Sequence, residues 1–76
     1  MEYLATFPNQ MKAVEYARAL SARGIPHRLM PRPRTLEASC GTAVRFSSRL
    51  PAETLRTIAP VKALYRVEAG GYYPVG

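Results

Sequence analysis

The one thiol in these 76 residues is Cys40, and it lies in the irregular segment Pro31-Arg32-Pro33-Arg34-Thr35-Leu36-Glu37-Ala38-Ser39-Cys40-Gly41. A cysteine attacks only as its thiolate, and nearby cations lower its pKa from about 8.5 by favouring the charged form. Arg32, Arg34 and Arg45 are close enough in sequence to do this. Gly41 would let the backbone turn so that successive amides, with that of Thr42 next, face the sulfur as a small anion-binding nest. Glu37 works in the opposite direction. The segment is too long for a tight hairpin turn, and long connections in compact domains often carry function. The competing expectation is that Cys40 is a small buried hydrophobe between Ala38 and Ala43, as free cysteines usually are, and residue types alone favour that slightly.

Other chemistries are poorly supplied. His27 is the only histidine, so no cluster offers the ligands of a zinc site, and a lone cysteine excludes an internal disulfide. If the flanking segments form a hairpin, His27 falls at its far end, about 15–20 Å from Cys40, and a Cys-His catalytic pair is not expected. No metal and no cofactor is implied. The residues supply no evident acid-base machinery.

A chain this short buries only about 60% of the surface its unfolded form exposes, which allows one thin core. With 47% apolar residues it should still fold unaided. Nine arginines and two lysines against five glutamates leave a net charge of +6, which favours anionic partners or simply keeps the protein soluble. Met1-Glu2-Tyr3 does not open a signal peptide, and no stretch approaches the ~18 apolar residues of a membrane span. A cytoplasmic location is expected, with no membrane partner.

The elements that must position the cysteine follow from periodicity. Tyr3 to Phe7 alternates as a half-buried strand, ended by Pro8 and Asn9. From Gln10 to Arg23, Met11, Val14, Ala17 and Leu20 recur at helical spacing, with Asn9 as N-cap and Gly24 closing the helix. Pro26 to Arg32 reads as an edge strand, because Pro31 and Pro33 cannot donate to a ladder. Thr42 to Phe46 is a third strand, a short helix through Leu55 and Ile58 follows Pro51, and Val61 to Val67 is a fourth strand.

This βαββαβ order predicts an α+β fold of split βαβ (ferredoxin-like) type: a four-stranded antiparallel sheet, first and third strands central, with two helices on one face. Residues 1–68 would form the domain and 69–76 a flexible C-terminal tail. If Ala5, Phe7, Val44, Phe46, Ala63, Tyr65 and Val67 point at the helices, then Thr6, Arg28, Met30, Arg32, Arg45, Lys62, Leu64 and Arg66 point to the open face. That face would be basic without aromatics, which disfavours single-stranded nucleic-acid binding. An assembly or regulatory module is a further possibility, with Val61 to Val67 as an exposed edge for a homodimer.

Pro31-x-Pro33-Arg34, then Ser39-Cys40-Gly41 and a strand ending Arg45-Phe46, after an opening Tyr3-Leu4-Ala5-Thr6-Phe7, resemble the Putative Se/S carrier protein-like family. The resemblance covers roughly Tyr3 to Glu68. Members often show more serines before the cysteine, where this chain has Glu37 and Ala38. The resemblance implies that Cys40 accepts sulfur or selenium from a donor persulfide or perselenide and passes it to an acceptor enzyme. Partners would then be donor and acceptor proteins, with Arg32, Arg34, Ser39, Gly41, Thr42 and Arg45 as the residues around the carried anion.

Overall fold

A computed structural model describes residues 1–36, 41–59 and 61–75. The elements are β1 Glu2–Thr6, α1 Gln10–Ala22, β2 His27–Pro31, β3 Thr42–Ser47, α2 Ala52–Ile58, β4 Ala63–Glu68 and β5 Gly71–Pro74. They form an α+β fold with one antiparallel sheet in the order β2-β3-β1-β4-β5. β1 and β3 are interior, as expected, and Tyr3 to Thr6 are buried on both faces of β1. Among the described residues no helix is long and apolar enough to cross a membrane.

Helix α1 ends as its flanking residues demand. The Asn9 side chain accepts from the Lys12 amide at 3.0 Å, satisfying a first-turn donor. Gly24 takes φ +69°, and the Gly24 and Ile25 amides reach back to the Ser21 and Leu20 carbonyls at 3.0 Å each. This is a Schellman closure, with Ile25 returned to the core beside Leu20.

The buried stripe of α1 differs from the expected one. Ala13, Tyr16, Ala17 and Leu20 face the sheet, whereas Met11 is 71% exposed. Both stripes share Ala17 and Leu20, and the larger ring of Tyr16 decides between them. Tyr16 lies 5.3 Å from Phe7 and 5.6 Å from Phe46, which in turn stacks on Tyr3 at 5.6 Å. Its hydroxyl donates to the Leu55 carbonyl at 2.9 Å and so ties α1 to α2.

Burial pushes the Tyr16 phenol up to about 12 from 10.0, against a smaller opposing pull from Arg23. Folding therefore favours the neutral phenol, so the stability it contributes is intact below pH 10 and is lost as pH rises through about 12. Denaturant midpoints should be insensitive to Tyr16 below pH 10 and fall above it. Tyr16→Phe should remove part of that alkaline fall while costing about 1 kcal/mol at neutral pH for the lost hydrogen bond. An unchanged alkaline limb in the variant would count against a buried phenol.

Among the described residues the sheet has five strands, not four. Residues read as a tail contribute β5, which pairs with β4 from Tyr65↔Pro74 to Glu68↔Gly71. Beyond it, the Val75 amide donates to the Leu64 carbonyl at 3.0 Å, and the Arg56 guanidinium donates to the Val75 carbonyl. The two-residue turn Ala69-Gly70 has positive φ at both positions, +49° and +76°, as a type I′ hairpin turn requires. Alanine is strained there. Ala69→Gly or Ala69→Asn should raise unfolding free energy by about 1 kcal/mol, measured by urea titration, and a loss of stability would contradict this turn geometry. Because β5 covers β4, Val61 to Val67 is not an edge, and the homodimer expected through it has no open ladder to use. The edges are β2 and β5.

The phase of β4 also differs. Leu64 stands opposite Ala5 and Arg66 opposite Tyr3, on the helix side, while Tyr65 stands opposite Leu4 and Val67 opposite Glu2. Four aromatic rings already fill the helix-side layer, and Leu64, 1% exposed, completes it. Tyr65 and Val67 turn instead to the other face, where Leu4, Leu36 and Ala43 form a second buried cluster flanked by Met30, Tyr65, Val67 and Tyr72. The open face keeps Arg28 and Arg45 but loses Leu64 and Arg66, and it is not free of aromatics. Arg66 meets Glu68 at 2.5 Å.

Candidate functional site

Two strand ends frame the cysteine-bearing connection. Pro31 closes β2 opposite Thr42, which opens β3. One rung further, the Arg32 amide donates to the Gly41 carbonyl at 2.7 Å, so the ladder continues past the proline. Pro33 to Leu36 then makes a turn closed by the Leu36 amide on the Pro33 carbonyl at 3.1 Å. Leu36 folds back onto the open face and is 8% exposed against Leu4 and Ala43. From the stem, Arg32 Nη1 donates to the Leu36 carbonyl at 2.5 Å. Sequence reasoning gave Leu36 no role, although a lone leucine in a polar connection was the available signal.

The residues expected around the sulfur are placed unequally. Cys40 and Ser39, with Glu37 and Ala38, lie outside the described residues. Arg32 is half-buried in the stem, and its Nε–H is buried without an acceptor among the described residues. Arg34 is exposed in the turn, with no carboxylate partner among the described residues. Gly41 is exposed, and the turn expected there involves Cys40, which lies outside the described residues. A Cβ at Gly41 would meet nothing within 4 Å, so a side chain at that position would have room. Thr42 is half-buried in the ladder and has a partner of its own.

Arg45 is in another neighbourhood. It lies four residues up β3 from Gly41, about 13 Å at the usual rise. Its Nε donates to Glu2 Oε2 at 2.9 Å, and Nη2 meets the same oxygen. Directly across β2 stands Arg28. His27 is at the opposite end of β2 from Pro31, with Nδ1 3.0 Å from the Ile25 carbonyl. The structure thus brings Arg32, Gly41 and Thr42 together at one sheet end and separates Arg45 and His27 from them.

Chemically, the stem supplies a cation, Arg32, whose Nε–H has no acceptor among the described residues, and the turn an exposed second cation, Arg34. Cations so placed favour an anion near them. Among the described residues no three histidine, cysteine or carboxylate side chains gather as metal ligands. No curated protein and no solved structure matches this chain. The family model described as Putative Se/S carrier protein-like matches residues 2–66, which takes in both strands of the stem and the whole connection between them. By that match over most of its length, the chain belongs to the Putative Se/S carrier protein-like family.

Proposed function

We propose that the protein carries sulfur or selenium on Cys40. The observation that supports this most is the anchored stem: a cysteine segment tied at Arg32, Leu36 and Gly41, in a member of this family, with Arg32 and Arg34 beside it. Loading would proceed by attack of the Cys40 thiolate on the terminal sulfur of a donor persulfide. The Cys40 Sγ–S bond forms, the donor's S–S bond breaks, and the donor leaves as a thiolate. Delivery repeats the exchange, with an acceptor nucleophile taking the terminal sulfur and Cys40 leaving as thiolate. Neither step needs an external oxidant, and selenium would follow the same course through a perselenide.

Arg34 and Arg32 would hold the terminal anion, with the Gly41 and Thr42 amides and Ser39 as further donors. Donor and acceptor proteins are the partners this reading requires. It suits a compartment where thiols stay reduced, which we take to be the cytoplasm. In fold terms we infer a split βαβ (ferredoxin-like) domain over residues 1–68, with β5 added at its margin.

Incubation with a cysteine desulfurase or selenocysteine lyase and its amino-acid substrate should add one sulfur or selenium atom to Cys40, read by intact-mass and peptide spectrometry. Cys40→Ser should abolish the adduct. Arg34→Ala should shorten its lifetime by roughly tenfold at unchanged fold, the scale of a lost charge-assisted hydrogen bond. Absence of the adduct, or equal loading of unrelated exposed cysteines, would overturn the proposal.

A further inference from the structure

A second concentration of positive charge lies at the end of the sheet remote from the Arg32–Gly41 stem, where the α1–β2 and β3–α2 connections meet. A cleft of about 700 Å³ opens there, lined by Arg23 from the first connection and Arg49 from the second. Met1, Ile25 and Leu50 give it an apolar lining. Ile25 and Leu50 also pack against the helix-side core, which makes that lining part of the fold. Across Pro26 and Ser47, which line both, it adjoins a narrower cleft of about 410 Å³ bearing Arg28, Arg45 and Glu2.

The charges there are poorly matched. Arg28 and Arg45 sit directly opposite across β2 and β3, a like-charge pairing that an antiparallel ladder ordinarily avoids. Glu2 neutralises Arg45. Arg23, Arg28 and Arg49 have no carboxylate partner among the described residues. Among the described residues, no acidic side chain lines the wider cleft. Two uncommitted guanidiniums from separate loops, over an apolar floor of small-molecule size, match an anion attached to an apolar body.

We propose that this trough binds a small phosphate monoester with an apolar body, of about the size of a mononucleotide. The phosphate sits between Arg23 and Arg49, the body lies on Met1, Ile25 and Leu50, and Arg28 adds long-range attraction from the adjoining cleft. This site is independent of the carrier reading, since none of its residues belongs to the Arg32–Gly41 segment.

The test is a titration of the isotope-labelled full chain at low salt with adenosine monophosphate, with adenosine, and with inorganic phosphate, followed by amide chemical shifts. The monophosphate should give saturable shifts at Ile25 and Ser48 to Leu50. Adenosine should bind at least about tenfold more weakly, and phosphate should shift the same amides less. Arg23→Ala with Arg49→Ala should weaken the monophosphate about tenfold, with the circular dichroism of the fold retained, the scale expected for charge-assisted contacts. Cys40→Ser should bind as the parent does. No saturable shift, equal binding of adenosine, shifts centred on Arg32 and Arg34, or affinity that grows with oligonucleotide length would each overturn the proposal.

Discussion

Phe46→Ala is expected to cost about 3–5 kcal/mol, the range for truncating a buried aromatic ring. Phe46 is 2% exposed and touches both Tyr3 and Tyr16, so its removal leaves two rings facing a cavity. A domain of this length has roughly 4–11 kcal/mol in total, by the usual stability per residue. The loss is therefore a large share of the whole. Met11→Ala, at a side chain 71% exposed, should change stability by less than about 0.5 kcal/mol. Urea titrations followed by circular dichroism compare the two. A Phe46→Ala loss below about 1 kcal/mol would mean that the aromatic layer is not the core that holds the sheet to its helices.

Leu36→Ala should have the next largest effect, and a more local one. The side chain is 8% exposed in the second cluster, so truncation should cost about 2–3 kcal/mol, the lower part of the usual range because the site is near the surface. It should also loosen the connection Leu36 anchors. Hydrogen exchange at the Arg32 amide, which donates to the Gly41 carbonyl, should quicken more than exchange in β1. If loading of Cys40 depends on a fixed stem, its rate should fall in Leu36→Ala and recover in Leu36→Met. Unchanged exchange at Arg32 would show that the stem is held by its ladder alone.

Much of the architecture could be read from residues with strong local preferences. Asn9 and Gly24 bracket α1, and the prolines at 31 and 33 place β2 at an edge, because each acts through backbone geometry that tertiary context rarely overrides. What escaped reading depended on packing or on unusual turn chemistry. Tyr65 reads as core by size, yet the helix-side layer was filled by other rings, and β4 turned it outward. Ala69-Gly70 lacks the Asn-Gly or Asp-Gly pair that signals a two-residue hairpin, so β5 read as a tail.

The candidate site divides in the same way. The stem was legible as an arginine-proline segment before a glycine and a strand. Pattern alone assigned Arg45 to it by nearness in sequence, but a strand carries side chains away at over 3 Å per residue, and Arg45 ends beside Glu2 and Arg28. The Arg23 and Arg49 cleft was not legible, since residues 26 apart meet there only through the tertiary fold.

The central place of β1 bears on how the chain acquires its structure during synthesis. Tyr3 pairs with Phe46 on one side and with Arg66 on the other, so the first strand made is the one that waits longest for its neighbours. Until β3 emerges, the apolar run Tyr3-Leu4-Ala5 has only α1 to cover it, and its second flank stays unpaired until β4 is complete. Contacts this distant in sequence slow folding, because loop closure precedes the burial that rewards it. A nascent chain arrested before residue 63 would thus display an unpaired β1 flank, the state in which this protein is most open to chaperones and to aggregation.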